Sequence, residues 1–318
     1  MQEVTVVIPN YNGRAYIEQC LNALRKQSIS TFDVLIVDNG STDGSRELIE
    51  SCYTEARLIS YKENYGFCKA VNEGILCAET PYVILLNNDT EVEEQFVEEL
   101  LKAIKRSPCI FSCGAKMLDF YQRDIVDDAG DFYCALGWAF ARGKGKNDKN
   151  YNQYGKVFAA CAGAAIYRKS VFEEIGYFDE RHFAYLEDMD IGYRARIYGY
   201  ENRFTPSARV YHMGSATSGS RYNELKVRLS ARNNIYLIYK NMPILQIILN
   251  FPFILIGILI KQMFFIRKRL GCAYFFGILK GIIYCKRENK VKFRVKHLPN
   301  YIKIQLELWQ NMLTKLTN

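Results

Sequence analysis

The chain has 318 residues, of which 49% are hydrophobic and 24% are charged. This is the composition of a globular protein, and it excludes an intrinsically disordered one. Its net charge of +8 conceals a split, because residues 1–220 carry 24 basic against 31 acidic residues and residues 221–318 carry 18 against 3. This asymmetry predicts two regions with different partners, divided at 220/221.

The ten cysteines form no Cys-x-x-Cys pair, and several lie in apolar runs. This pattern favours buried free thiols in a reducing compartment over a disulfide or zinc framework. The chain opens on the strand-like "VTVVIP" with no basic or cleavable apolar segment before it, so we expect the first region to face the cytosol.

Strands and helices are predicted to alternate over the first two hundred residues. Strands are predicted at 4–9, 32–37, 57–61 and 82–86, and helices at 15–26, 45–52, 68–77 and 93–106. Such spacing predicts an α/β fold with a mostly parallel sheet covered by helices. Sheets of this kind bind ligands at the carboxyl ends of their strands, where Pro9-Asn10, Asp38-Asn39 and Asn87-Asn88-Asp89 fall. Further strands are predicted at 157–168 and 203–212.

The second region follows a Gly/Ser-rich stretch at 214–220 and is helical and apolar. The run 242–260 approaches the length that spans a bilayer, although it contains Gln246, Asn250 and Pro252. It is a transmembrane helix, part of an in-plane helix pair embedded in a membrane surface, or a soluble core or dimer helix. Basic clusters at 267–269 and 286–296 match anionic lipid headgroups, whereas the long apolar runs argue against nucleic acid.

Two strand ends and one helix start offer side chains for ligand binding. Asp38 follows a buried strand and suits either a nucleoside hydrogen bond or an Asx-turn. Asp89 follows "YVILL" and is a metal ligand or a polar loop residue. Gly66 precedes a predicted helix whose exposed amides suit a phosphate or ribose, and Lys69 lies one turn further on, within reach of an anion.

Three carboxylates, Glu187, Asp188 and Asp190, crowd the start of another predicted helix. The helix dipole alone favours acidic residues there, but three exceed what capping needs, so one of them is a candidate general base. His212 ends a strand before a Gly/Ser loop and is a metal ligand or an ordinary structural histidine.

Seven segments in order resemble family-2 glycosyltransferases of the GT-A fold, the inverting enzymes that use nucleotide sugars. They are "VVIPNYNG", "LIVDNGSTDGS", "NYGFCKAVNEGI", "LLNNDT", "CAGAAIYRKSVFEEIGYFDE", "YLEDMDIGYRARIYGY" and "VYHMGS", and the resemblance covers about residues 4–235. The run "DDAGDFYCALGWAFARGKG" is most similar to the bacterial rhamnosyltransferase branch.

The resemblance implies which residues form the site. The donor-binding residues would be Pro9, Asn10, Tyr11, Asp38, Gly66, Lys69, Asn87, Asn88, Gly163 and Ala164. Asp89 and His212 would hold the metal, Mg²⁺ or Mn²⁺, with Asn87 at the first position of the motif usually written Asp-x-Asp. Asp188, beside Glu187, would be the catalytic base.

The implied donor is a dTDP- or UDP-sugar, and the implied acceptor is a glycan or a polyprenyl-diphosphate-linked sugar in cell-surface polysaccharide synthesis. Such an acceptor places the enzyme on the cytoplasmic face of the cell membrane. The segments 143–155 and 214–220 are candidate lids over the active site. The main alternative is a catalytically inactive GT-A-like binding subunit, for which Asn87 in place of Asp argues. A sugar nucleotidyltransferase would need a Gly-rich basic loop, and a dehydrogenase a Gly-x-Gly-x-x-Gly, after the first strand; neither is there.

Overall fold

The structure, a computed structural model, describes residues 2–214 and 222–317. Within these ranges the strands are β1 (Val4–Asn10), β2 (Phe32–Asp38), β3 (Arg57–Ser60), β4 (Tyr82–Leu86), β5 (Thr90–Val92), β6 (Ile110–Asp119), β7 (Val126–Asp128), β8 (Asp131–Cys134), β9 (Trp138–Ala141), β10 (Gly155–Val157), β11 (Ala164–Arg168) and β12 (Glu201–His212). The α-helices are α1 (Ile17–Leu24), α2 (Ser45–Cys52), α3 (Phe67–Cys77), α4 (Phe96–Lys105), α5 (Lys169–Ile175), α6 (Glu187–Tyr198), α7 (Glu224–Asn241), α8 (Ile244–Arg267), α9 (Gly271–Tyr284) and α10 (Leu298–Thr317).

One mixed sheet organises the first region. Its order is β10-β12-β6-β11-β4-β1-β2-β3, with β5 paired to β12 and β7 to β6. The run β3-β2-β1-β4 is parallel, β11 is antiparallel to both of its neighbours, and β12 is parallel to β6. The apolar runs of β1 and β4 are buried because helices cover both faces of the sheet. The predicted mostly parallel α/β architecture is confirmed.

The predicted strand at 157–168 is wrong as a single element. The chain forms β10 and β11 instead, and the residues between them leave the sheet. Phe158 and Ala159 both donate backbone hydrogen bonds to the Asp131 carbonyl, and Ala164 closes a turn on the Cys161 carbonyl. Apolar composition alone could not reveal that this segment exchanges sheet partners for loop partners.

All ten cysteines are free thiols, but Cys52, Cys109 and Cys272 are exposed rather than buried. The prediction of buried thiols therefore holds only for some of them. Cys20, Cys68, Cys113 and Cys134 are the fully buried ones.

The helices of the second region pack against each other and against the sheet domain. α7 and α9 approach closely because Gly277 and Gly281 have no side chain: a Cβ added at either would lie 2.6 Å from a backbone oxygen of α7. α10 packs on the β8–β9 hairpin, where Ala135 donates its backbone N–H to the Leu308 carbonyl over 3.0 Å. The predicted boundary at 220/221 falls in 215–221, outside the described residues, and the division there stays a proposal.

Candidate active site

A chain of polar side chains joins the carboxyl ends of β4, β1 and β2. Asn88 Nδ2 donates to Asn10 Oδ1 over 2.8 Å, and Asn10 Nδ2 donates to Asp38 Oδ1 over 2.8 Å. Gly13 lies over the first pair, where an added Cβ would be 2.2 Å from both amides. These residues come together because each lies at or just after the carboxyl end of a strand of one parallel run.

These buried side chains form hydrogen bonds with each other. Asn10 is fully buried, and Asp38 Oδ2 accepts the backbone N–H of Ser41, three residues further along the loop after β2. Tyr11, 37% exposed, and the half-buried Pro9 form the open edge beside them. Contact of these four predicted donor-binding residues with a nucleoside remains a prediction.

Gly66 lies where two loops meet. Its φ of +92° favours glycine, and an added Cβ would lie 2.6 Å from the Phe183 ring. In this structure the close backbone approach is therefore to the segment before α6. Lys69, also predicted to bind the donor, lies 3.7 Å from Glu180 in a half-exposed pair that contributes little to stability.

The predicted metal ligands converge across the β5–β12 pairing. His212 Nε2 lies 3.4 Å from Asp89 Oδ1, and both side chains are largely buried. His212 Nδ1 lies 2.8 Å from Asp127 Oδ2, so the ring is held from behind by a second carboxylate. This is the arrangement in which a carboxylate orients a metal-binding imidazole. Asp127 was missed by sequence reasoning, although it begins the quoted "DDAGDF".

The charges around His212 suit a cation. Burial lowers the pKa of His212, but the hydrogen bonds and charges of Asp127 and Asp89 outweigh it and raise that pKa to about 10. Burial likewise raises the pKa of Asp127, and His212 with Lys144 brings it below its usual range. Asp89 and His212 Nε2 would hold a divalent ion in place of the proton on that nitrogen, with Asp127 on the Nδ1 side of the imidazole. The pair offers one carboxylate oxygen and one imidazole nitrogen, a donor set that can hold a divalent ion.

Asn87 connects this pair to the loop before β11. Its backbone N–H donates to the Gly163 carbonyl over 2.9 Å, and a Cβ on Gly163 would lie 3.0 Å from the Asn87 amide. Ala164, the first residue of β11, is only 1% exposed and packs in the core of the sheet. Of the two residues predicted to line the sugar pocket, Gly163 is therefore the one beside polar groups.

The predicted base lies on the other side of the same loop. The Asp188 carboxylate accepts the backbone N–H of Met189 over 2.7 Å and that of Ala162, and burial raises its pKa above the usual range. Glu187 Oε2 is buried without a hydrogen-bond partner among the described residues, and burial, followed by the charge of Asp188, raises the pKa of Glu187 to about 8. A continuous backbone path through 162–163 thus joins Asp188 to Asn87, two residues before Asp89.

Two further carboxylates that sequence reasoning missed stand close to Asp188. Asp128 and Asp131 bring carboxylate oxygens within 4.8 Å of each other and of Cys161 Sγ. Burial raises the pKa of Asp128 to about 7, and the charges of Asp127 and Asp188 add to the rise. Their spacing in "DDAGDF" was the available signal.

One of the two candidate lids can be described. In 143–155, Gly143 packs on the Tyr151 ring, and the buried Lys116 ammonium lies 3.8 Å from the Asp148 carboxylate. The other, 214–220, lies outside the described residues except for Gly214. Closure of either stays a prediction.

Comparison with known proteins shows the family of this chain. The model of the family described as Glycosyl transferase family 2 matches residues 5–176. N-acetylglucosaminyl-diphospho-decaprenol L-rhamnosyltransferase of Mycobacterium tuberculosis is 27% identical over 239 residues, which are 67% of this chain and 77% of that protein. The O-antigen chain rhamnosyltransferase WbaN of Salmonella anatum is 28% identical over 220 residues, 68% of each chain.

Solved structures share the fold at lower identity. GalNAc-T7 with UDP, GalNAc and Mn²⁺ superposes with a TM-score of 0.61 at 15% identity, over 75% of this chain and 48% of that one. TarS 1-349 of S. aureus in complex with UDP-GlcNAc gives 0.54 at 18% identity, over 95% of this chain and 79% of that one. At these identities the likeness shows the fold alone, and it confirms the GT-A architecture.

Proposed function

The chain belongs to glycosyl transferase family 2, and we propose that it moves a sugar from a nucleoside-diphosphate donor to an acceptor hydroxyl with inversion, using Asp188 as the base. The observation that carries the proposal is the path from Asp89 through Asn87 and Gly163 to Asp188. It supports one site in which the diphosphate and the attacking hydroxyl are held on opposite sides of the same loop.

The proposed reaction is a single displacement. Asp188 takes the proton of the acceptor hydroxyl as its oxygen forms a bond to the anomeric carbon, while the bond from that carbon to the diphosphate breaks on the opposite face. The electron pair of the broken bond leaves with the diphosphate, so the configuration inverts. The raised pKa of Asp188 makes it a stronger base than an exposed aspartate, which favours this role.

Asp89 and His212 would hold the divalent ion, with Asp127 behind the imidazole. When bound, the ion supplies positive charge that neutralises the diphosphate leaving group. Asp89 would be the one negatively charged ligand of this pair, since His212 binds as a neutral imidazole. We therefore expect the bound nucleotide to contribute much of the protein's affinity for the ion.

Replacing Asp127 by Asn is expected to weaken Mn²⁺ binding by about 10–100-fold, because the ring would lose the negative partner that orients it. Titration calorimetry of Mn²⁺ in the presence of a nucleoside diphosphate measures this. Asp124→Asn, an exposed carboxylate in the preceding turn, is the matched control. Equal affinities for the two variants would remove Asp127 from the metal site.

The proposed donor is a dTDP- or UDP-sugar, and the similar TarS structure holds UDP-GlcNAc. The names of the similar rhamnosyltransferases support rhamnose among the sugars and an acceptor carried on a polyprenyl diphosphate in cell-surface polysaccharide synthesis. The test is to incubate the protein with dTDP-rhamnose, UDP-galactose, UDP-glucose and UDP-GlcNAc, and to measure release of nucleoside diphosphate with and without EDTA. Release from one donor that EDTA abolishes supports the proposal. Nucleotide binding without release from any donor would favour the inactive binding subunit.

Helix α8 gives this chain a second surface. It is the helix of the described residues that is long and apolar enough to cross a bilayer, with a mean hydropathy of 2.2, yet only 22% of its apolar window is buried. Its buried side is attached to the protein: Gln246 accepts a hydrogen bond from a tyrosine of α6, Asn250 pairs with a glutamine of α10, and Gly257 accepts from the indole of β9. These contacts cover three helical turns, so the helix lies along the protein.

The opposite side of α8 and its neighbour α9 are apolar and exposed. The exposed residues include Ile244, Leu245, Ile248, Phe251, Leu255, Ile256, Leu259, Met263, Phe275, Phe276, Ile282 and Ile283. Exposed basic residues follow at Arg267, Lys268, Arg269, Lys286, Arg287, Lys292, Arg294 and Lys296. The exposure of α8 argues against a soluble core helix, and its attachment favours in-plane docking on an anionic membrane, at the cytoplasmic face.

The double variant Ile256→Glu/Ile283→Glu is expected to lower the affinity for phosphatidylglycerol vesicles by at least about 10-fold per residue. Burying each of these exposed isoleucines in the membrane would contribute roughly 1.5–3 kcal/mol to binding. Vesicle flotation measures the affinity. Leu76→Glu, an exposed apolar residue of α3, is the control. Flotation of the double variant as complete as that of the unaltered protein would overturn in-plane docking.

A further inference from the structure

The segment before the Glu187–Asp188 pair has an unusual backbone. Phe183, Tyr185 and Leu186 have φ values of +63°, +73° and +66°, a region that residues with a Cβ rarely adopt. Such a conformation is strained and persists only where its surroundings hold it. Leu186 is the N-cap of α6, so the segment sets where α6 begins and where the Asp188 side chain stands.

One side chain of α7 holds most of this segment. Asn233 Nδ2 lies within hydrogen-bond distance of three carbonyl groups in residues 182–185, 3.0 Å from that of His182, 2.8 Å from that of Ala184 and 2.7 Å from that of Tyr185. Asn233 is only 1% exposed. Asparagine is a poor helix former in a helix interior, so this position serves contacts outside α7 rather than the helix itself.

Arg232 holds the Asn233 side chain in its orientation. Its Nε donates to Asn233 Oδ1 over 2.8 Å, which directs the amide nitrogen toward the turn. Its Nη2 donates to the carbonyls of Arg181 and His182 over 3.0 Å and 2.7 Å. The planar guanidinium can make these bonds at once, whereas a lysine ammonium could not keep the same geometry.

Residues further along α7 also make hydrogen bonds to α6 and to the residues before the turn. Lys240 donates to Asp179 Oδ2 over 2.7 Å and to Asp190 Oδ2 over 2.8 Å, and Asn241 donates to Asp190 Oδ1 over 2.8 Å. Both carboxylates flank the 183–186 turn in sequence, one before it and one after it. α7 is thereby joined to the turn itself and to both of its ends.

We propose that Asn233, oriented by Arg232, is a positioning residue for transfer: it holds the strained 183–186 turn so that the Asp188 carboxylate faces the acceptor hydroxyl. The inference rests on the proposed role of Asp188 as the base. A displacement of about 1 Å at a reacting group lowers rates about 100-fold, so the effect falls on the chemical step. The hydrogen bonds that the described residues make with the Asn233 side chain come from Arg232 and from the carbonyls of residues 182, 184 and 185, none of which lies on β4, β1 or β12.

The test compares Asn233→Ala with Asn234→Ala. Asn234 is the next residue of α7, is also buried, and accepts a hydrogen bond from Tyr133 on another side of the helix. Both variants lose a buried amide, so both lose stability. We expect Asn233→Ala to lower kcat per folded molecule about 100-fold with the KM for the donor unchanged, and Asn234→Ala to leave both near the values of the unaltered protein. Urea denaturation gives the folded fraction.

Equal kcat values for the two variants would overturn the proposal. If Asn233→Ala does not fold, Arg232→Lys takes its place, and it is expected to lower kcat about 10-fold by the same route. Asp188→Asn, measured alongside, separates the two proposals. Turnover retained in Asp188→Asn would refute the base assignment, whereas its loss together with full activity in Asn233→Ala would refute the positioning role alone.

Discussion

Asp188→Asn is expected to lower the rate constant for sugar transfer by about 10²–10⁴-fold while the affinity for the donor is unchanged. The amide is nearly isosteric with the carboxylate, and its oxygen can still accept the backbone N–H groups of Met189 and Ala162. What it loses is the ability to take the acceptor's proton. Product formation from radiolabelled donor, with nucleotide affinity from calorimetry, separates the two quantities.

The pH dependence of kcat/KM for the unaltered enzyme is a second test of Asp188 as the base. Because burial raises the pKa of Asp188, the base becomes protonated at a higher pH than an ordinary aspartate. The value of kcat/KM should therefore fall as pH decreases through this raised pKa, and residual turnover of Asp188→Asn should lack that limb. Glu173→Gln, an exposed carboxylate of α5, is the control. An unchanged acid limb in Asp188→Asn would assign the base to another group.

Lys240→Met is expected to lower the free energy of unfolding by about 3–5 kcal/mol, because it removes a cation that two buried carboxylates share. Lys240 lies between Asp179 and Asp190, and Asp190 is fully buried. Burial raises the pKa of Asp190, but Arg194 and Lys240 outweigh it, so the carboxylate is charged in the folded protein. Removing one of its two cations leaves that charge partly uncompensated.

Urea denaturation of Lys240→Met and of the exposed control Lys303→Met measures the difference. Adding Asp179→Asn to Lys240→Met should recover part of the loss, since one unpaired charge is then gone. A loss below about 1 kcal/mol in Lys240→Met, equal to that of the control, would show that the network does not hold α7 to α6. Because α7 carries this cation, we also expect residues 1–220 alone to be unstable.

Several features of this protein follow from the sequence alone. The apolar runs of β1, β2 and β4 cannot be exposed to water, so the parallel sheet and the placing of Asn10, Asp38 and Asp89 at its edge follow from local pattern. The order of the short motifs also follows from the sequence, and the family model matches residues 5–176, which contain the first four motifs and most of the fifth.

Other features were decided only by the tertiary structure. Nothing local to Asp127 indicates that it supports His212, 85 residues away, because that contact depends on how β7 and β12 flank β6. Nothing local to Asn233 indicates that it binds a turn 48–51 residues earlier in the chain. The sequence determined which residues could do chemistry. Which residues hold them in place depended on long-range packing, since a supporting hydrogen bond needs only the right distance and leaves no periodic pattern in the sequence.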